Sequence, residues 1–311
     1  MLIQTIAMVL PVLVMLLIGM VCRQKNILTP EGLAGIRAVI GEIMLPLVLF
    51  NAFFTAAYGR SMLVIFLCTY CGFGLALCAG FLLRRLARPH ERYLPFLVTS
   101  SEIGMLGYAL YTLIAGAQNT SVLASVDIGQ TVFSYTVWLT CLKIADGQKA
   151  SARDIVESFV HNKPAMGMLL GIIGGILGLG KLVLASPAAA VYTQAVSFIS
   201  APTGALILIV VGYDLTFSKE LMKPVITTAL LRIAVMGCMY LACSALIFHL
   251  LPYDKLLNMA LMLACILPAP FVIPLFARHL DQDAGYVSTT YSMQTLAAIA
   301  LFVPLVLYSL A

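Results

Sequence analysis

The ionisable residues inside the long apolar runs of this chain are few, and they limit the chemistry open to it. Glu102 stands deepest, in the stretch Thr99-Ser100-Ser101-Glu102-Ile103-Gly104-Met105-Leu106-Gly107-Tyr108. Arg232 lies within another run, Glu42 within a third, and Asp127 near one end of a fourth. A charge at the centre of a bilayer costs at least about 2.5–3.5 kcal/mol on insertion scales, so such groups are functional by default. A carboxyl at that depth can gain and lose a proton, and so couple proton movement to solute movement. Glu102 is read as that coupling group, with Ser101 and Gly104 beside it in the site. The competing reading is a protonated structural acid bonded to helix backbone. Arg232 is read equally as a partner for a helix C-terminus and as a counter-ion in the site. Asp127 and Glu42 are expected to snorkel toward the interface.

A second constellation is made of backbone breakers. Cys265-Ile266-Leu267-Pro268-Ala269-Pro270-Phe271-Val272-Ile273-Pro274 holds three prolines in seven residues, and no regular hydrogen-bond ladder survives that spacing. Non-helical backbone at membrane depth is tolerated only where it lines a cavity or is buried in protein. Pro268 and Pro270 are therefore expected in an unwound stretch that lines a cavity or is buried in protein. Asn51, one turn beyond Pro46, is placed either against the solute or in core hydrogen bonding, and Gln130 and Gln294 admit the same two readings. Tyr108 and Tyr291 are read as packing residues with a wall role as the alternative. The four histidines fall at helix ends or in loops, and the eight cysteines show no zinc-like spacing with them. No nucleophile constellation, phosphate loop or metal-ligand cluster appears, so no enzyme, catalytic residue, metal or cofactor is expected.

The elements that must carry these residues follow from composition. The chain has 311 residues, 62% apolar and only 10% charged, against about 45–50% and about 25% in soluble domains. A water-soluble enzyme is excluded, and the long continuous runs do not have the alternation of a membrane β-barrel. Roughly 20 apolar residues span a bilayer as helix. The fold class expected is all-α, with ten membrane segments at residues 2–22, 33–57, 61–83, 93–115, 121–142, 164–184, 187–212, 221–250, 255–276 and 284–310. The first is read as a retained helix, since it lacks a basic leader and a small-residue cleavage site.

The polar stretch 143–163 divides the ten into five and five, so the second half enters the bilayer inverted. Inverted repeats of this kind are common in secondary transporters. The domains are thus residues 1–142, a linker 143–163, and residues 164–311. Pro46 in segment 2 is matched by Pro202 in segment 7, and Gln130-Thr131 in segment 5 by Gln294-Thr295 in segment 10. Segments 4 and 9 are the broken pair, at corresponding places in the two halves. In the linker, Ser151 and Asp154 form a capping-box pattern ahead of Ile155, Phe159 and Val160, which gives either a short amphipathic surface helix or a solvated connector.

Lys and Arg fall unevenly between the two sides. Fourteen lie on one side, in the groups Arg23 to Arg37, Arg84 to Arg92, Lys143 to Lys163, Lys219 with Lys223, and Arg278, whereas the other side has only Arg60, Lys181 and Lys255 and Arg232 lies inside a run. The positive-inside rule puts the first group in the cytoplasm and both termini outside a plasma or inner membrane. The same bias accounts for the net charge of +5, and no basic patch interleaved with aromatics points to nucleic acid.

The chain resembles the auxin efflux carrier family of membrane transporters, as a bacterial-type member, over nearly its whole length. The likeness rests on Pro11-Val12-Leu13 through Leu17-Ile18-Gly19, Arg23-Gln24-Lys25 with Leu28-Thr29, and Leu45-Pro46 with Leu49-Phe50. It continues in Asn162-Lys163-Pro164, Ala201-Pro202 with Gly212 and Leu215, and Ala277-Arg278. The resemblance implies ten helices in two inverted repeats, with segments 4 and 9 broken and crossing near the midplane, segments 1, 2, 6 and 7 as a scaffold and the rest as a moving transport domain. It also implies organic anions as solutes, auxin and dicarboxylates among them. Where family members usually carry Asn-Thr-Gly-Phe-Leu-Gly in segment 4, this chain has Glu102 at the asparagine. Val272 stands at the corresponding asparagine of segment 9.

The function expected is secondary active transport of a small organic solute across the bilayer, by an elevator-like alternation, with H+ or Na+ as coupling ion. The alternatives are a sodium-coupled symporter resembling the bile-acid carriers, and a non-transporting receptor or channel. Partners are the solute, the ion and the lipid bilayer, with a homodimer through the scaffold helices as a further option. A cysteine introduced at Gln148, on a background without native cysteines, is expected to resist an impermeant reagent applied to intact cells. Labelling there from outside would reverse the topology.

Overall fold

A computed structural model describes residues 2–147, 157, 159–271, 273 and 281–311, and among these the chain is helical with no strand. α1 covers Leu2–Gln24. α2 (Pro30–Val39) starts where sequence rules place a start: Thr29 Oγ1 accepts the Gly32 N–H at 3.1 Å, Pro30 follows, and Glu31 is in the first turn. A π-helical turn at Ile40–Met44 carries α2 into α3 (Leu45–Phe54), and Pro46 then falls in the first turn of α3, where a missing N–H is tolerated. α4 is Arg60–Leu83, α5 is Leu94–Leu97, and α6 is Tyr108–Ala115 after a π-helical turn at Ile103–Gly107. α7 (Thr120–Phe133) passes through another π turn at Ser134–Trp138 into α8 (Leu139–Ala145).

In the second half, Asn162 caps α9 (Lys163–Ile176) through Oδ1, 2.9 Å from the Ala165 nitrogen. Gly178 at φ +74° then ends α9, and α10 (Leu179–Ala185) leaves at a 75° bend. α11 is Ala189–Asp214, α12 is Met222–Leu250, α13 is Lys255–Ile266, and α14 is Asp281–Leu310.

Among the described residues six helices are long and apolar enough to cross a membrane, and a seventh is gained if the bent pair α9–α10 counts as one span. The chain is a multi-pass membrane protein. Three expected segments are not among the seven, for physical reasons that differ. Segments 4 and 9 are interrupted, which leaves only the shorter apolar helices Ile103–Ala115 and Lys255–Ile266. Segment 5 is helical from α7 through α8, but Asp127, Gln130, Thr131 and Ser134 put a polar stripe along it and lower its hydropathy. The capping-box pair Ser151 and Asp154, with Ile155, lies outside the described residues. Of the same stretch, Phe159 is described, and its ring packs edge-on against Tyr135 at 5.2 Å.

Two helix pairs approach to backbone contact. A Cβ on Gly167, Gly171 or Gly175 of α9 would stand 2.2, 2.5 and 2.7 Å from the carbonyl oxygens of Pro46, Phe50 and Phe53 on α3. α1 and α11 make a reciprocal contact. A Cβ at Gly19 would meet the Ile209 oxygen at 2.1 Å, and one at Gly212 would meet the Leu16 oxygen at 2.1 Å. Lipid offers no hydrophobic drive for helices to associate, so close van der Waals packing through small residues supplies the attraction. Exposed Leu170 and Ile173 elsewhere on α9, and exposed Phe198 toward the start of α11, suit a lipid-facing surface. Gly171→Leu is expected to lower thermal stability in detergent by an overpacking cost of about 1–3 kcal/mol. Gly35→Ala, where nothing lies within 4 Å, is the matched substitution and should be neutral or slightly stabilising. A Gly171→Leu protein as stable as its parent would contradict the α3–α9 contact.

Candidate functional site

The two interrupted segments meet. Segment 4 loses helix after α5 and regains it at Ile103, with Ser100 in the left-handed region at φ +57°. Segment 9 loses it after α13, and Leu267, Pro268, Ala269 and Pro270 are all non-helical. The break falls where the prolines require it, and Pro268 is buried in protein. The strands of freed backbone touch directly, the Glu102 N–H donating to the Pro268 carbonyl at 3.0 Å.

Arg232, on α12 and only 3% exposed, satisfies much of the freed backbone. Its Nη1 donates to the carbonyls of Leu97 (3.1 Å) and Thr99 (3.3 Å). Its Nη2 donates to Ser100 O (2.6 Å), Ser101 Oγ (3.2 Å) and Leu267 O (2.7 Å), and its Nε also reaches Leu267 O at 3.1 Å. One guanidinium thus holds carbonyls that α5 and α13 leave open at their C-terminal ends. Of the two sequence readings of Arg232, this geometry matches the helix-end partner, and no bond to Glu102 is among its contacts.

Two glutamines complete the network. Gln130 Nε2 donates to Ser100 Oγ (2.8 Å), Ser101 O (3.0 Å) and Ser134 Oγ (3.0 Å). Gln294 uses both ends, with Nε2 donating to Leu97 O at 2.8 Å and Oε1 accepting the Ala269 N–H at 3.1 Å. Ser101 Oγ donates to Ala264 O at 2.6 Å.

Glu102 points the other way, into a cavity of about 170 Å³ that Arg37, Met105, Asp214, Phe271 and Tyr291 also line. Its Oε2 accepts the Phe271 N–H at 2.6 Å. Burial favours a neutral carboxyl and backbone donors favour the anion, so opposing influences act on this one group. Arg37 Nη2 donates to both carboxylate oxygens of Asp214, and its guanidinium carbon lies 5.1 Å from the centroid of the Phe271 ring. Phe271 in turn packs on Tyr291 at 5.6 Å.

The structure brings Glu102, Ser101, Gln130, Pro268, Gln294 and Arg232 together at the crossing. Gly104 lies in the π-helical turn that follows the break, and the Pro270 carbonyl accepts the Ile273 N–H at 3.1 Å. Asn51 is elsewhere: its Oδ1 accepts the Tyr192 hydroxyl at 2.8 Å, a bond between α3 and α11. Asp127 does not snorkel. It is 2% exposed, and its carboxylate accepts the hydroxyls of Tyr108 (3.2 Å) and Thr131 (3.0 Å). Glu42 is exposed on the turn before α3. Val272 and Ala277-Arg278 lie outside the described residues. Arg37 and Asp214 were not singled out as site residues. Arg37 was absorbed into the topology count, and the signal for Asp214 was only its place at the end of a long apolar run.

Interrupted helices that cross in the interior of a multi-pass protein, beside a cavity lined by a carboxyl, define a membrane transport protein as the class. A family model of that description, membrane transport protein, matches residues 4–163, and the chain belongs to this family, that of the auxin efflux carriers. No curated protein matches the chain.

Arg232→Leu is expected to abolish monodisperse protein in size-exclusion chromatography. It strips donors from four buried carbonyls, of which Leu97 O keeps Gln294 Nε2 and those of Thr99, Ser100 and Leu267 lose their Arg232 donor, each costing about 1–3 kcal/mol when orphaned, against a total stability of about 5–15 kcal/mol. Arg232→Lys should be intermediate, since an ammonium cannot reproduce the planar fork. A fully stable Arg232→Leu protein would show these bonds to be dispensable.

Proposed function

We propose that this transporter is a secondary carrier of a small organic solute, an organic anion by family resemblance, with Glu102 as its proton-coupling group. One observation carries the reading. The Glu102 carboxyl sits where the two breaks meet, faces a cavity of about 170 Å³, and makes no ion pair among the described residues. Arg232 is committed to backbone carbonyls, so a proton is the simplest counter-charge for Glu102 when an anion enters. The absence of a phosphate loop from the sequence agrees with a gradient as the energy source.

On this reading the ten sequence segments are two inverted five-segment repeats. Gln130 and Gln294, at matched places in segments 5 and 10, each hold freed backbone of a break, which supports that pairing. Segments 1, 2, 6 and 7, locked by the glycine contacts of α1–α11 and α3–α9, form the scaffold past which the crossing moves. The membrane is the plasma or inner membrane, with the Arg- and Lys-rich ends in the cytoplasm.

The test uses proteoliposomes and a solute found by a thermal-shift screen against organic acids, amino acids and sugars. Glu102→Gln is expected to lose accumulation driven by a pH gradient while keeping solute exchange. Unchanged pH dependence of accumulation in that variant would make Glu102 a structural group and remove the coupling reading.

A further inference from the structure

Arg37 and Asp214 share the Glu102 cavity, and the proposed function gives them no task. Their geometry is unusual for a structural ion pair. Nη2 of Arg37 serves both oxygens of Asp214, while Nε of the same fork is buried and has no hydrogen-bond partner among the described residues. A guanidinium edge binds a carboxylate best with two parallel N–H donors, so this edge is only half used. Its second donor is left for an acceptor that enters the cavity. The other side of the guanidinium rests on the Phe271 ring, whose backbone N–H donates to Glu102. One residue therefore links the free edge of Arg37 to the carboxyl at the crossing.

We propose that Arg37 anchors the carboxylate of the solute, which competes with Asp214 for the Arg37 fork. This rests on reading the Glu102 cavity as the solute site. An incoming carboxylate takes Nε and Nη2 together, a better fit than Asp214 makes through Nη2 alone. Asp214 is the last residue of α11, where the chain leaves helix and the side chain can turn away. It then stays near a cation, because Arg23 donates to the carbonyls on either side of it, Leu215 O at 2.9 Å and Tyr213 O at 3.4 Å. The arriving negative charge adds to that of Asp214, so Glu102 must be neutral for the cavity to hold both. Solute and proton therefore enter together. The Arg37 fork sets what is admitted: a planar anion, in a space of about 170 Å³ that suits an acid of a few carbons beside the Phe271 and Tyr291 rings.

The purified full chain is tested by thermal shift at pH 6 with acetate, malonate and succinate, and with their neutral amides. At least one acid is expected to stabilise the wild type while its amide does not. Arg37→Gln should lose that stabilisation, and Arg37→Lys should weaken it about tenfold, since a lysine cannot fork. Asp214→Asn removes the internal competitor and should bind the same acid about fivefold more tightly. A merely structural Arg37–Asp214 pair gives no such gain. The proposal is overturned if Arg37→Gln responds like the wild type, if Asp214→Asn binds no more tightly, or if no acid stabilises either the wild type or Asp214→Asn. Should Arg37→Gln fail to fold, Arg37→Lys and Asp214→Asn decide. Glu102→Gln in the same assay separates the two readings. If it keeps acid binding with unchanged pH dependence, the coupling role of Glu102 fails while the anchor stands. If its pH dependence is lost but the Arg37 variants bind normally, the anchor fails alone.

Discussion

Peptide groups released from a helix in an apolar interior must find partners, because neither lipid nor side-chain hydrocarbon can supply them. Everything around the crossing follows from that constraint. Segments 4 and 9 give up helix at the same place, and their loose ends are tied by Arg232, Gln130, Gln294 and a direct backbone bond from Glu102 to Pro268. The cost of bringing a guanidinium to that depth is offset by carbonyl dipoles already converging there. A cation used in this way is no longer a counter-ion, and that leaves the Glu102 carboxyl to backbone donors and to whatever enters its cavity.

The packing around this centre divides by the kind of contact. α3 and α9, and α1 and α11, touch through glycines at backbone distance, contacts that fix two helices in one register and tolerate no sliding. The face that Glu102 turns toward α2 and α11 has a different character. It meets them across a cavity, through a cation resting on an aromatic ring and an ion pair at the cavity wall. Such contacts can be exchanged for others of equal strength, which interlocked glycines cannot. A moving interface, as the proposed elevator needs, is easier to build from the second kind.

How much of this was legible depended on whether a signal was local. The segment 9 break was, because Pro268 and Pro270 forbid a continuous ladder wherever they stand, and Arg232 as a helix-end partner was one of two readings of a single buried arginine. The glycines of α9 recur every four residues, a spacing open to reading, but only the α3 carbonyls show how close the partner comes. Arg37 could not be separated from the other basic residues on its side, since a charge count takes no notice of which way a side chain turns. Asp127 gave the opposite error. Its position near a segment end suggested snorkelling, yet the face it shares with Thr131 turns inward to Tyr108. The expected ten spans reduce to six or seven by length and apolarity, because the segments nearest the crossing are broken or polar.

By the family resemblance Glu102 stands where other members carry an asparagine, and the two side chains differ in the hydrogen bonds they can make. An asparagine at that place could use both ends of its amide, and would be satisfied without any change of state. A carboxylate has acceptors only, and here one oxygen is taken by the Phe271 N–H. When it gains a proton it becomes a donor, and its neighbours must then present an acceptor. Arg37 cannot, since a guanidinium has none, whereas a solute carboxylate held on Arg37 would. On the proposed reading the protonated acid and the anion therefore complete each other, with Asp214 displaced from the Arg37 fork. Coupling in such a carrier needs no separate relay, because the hydrogen-bond requirement of one carboxyl makes the pair the favoured occupant.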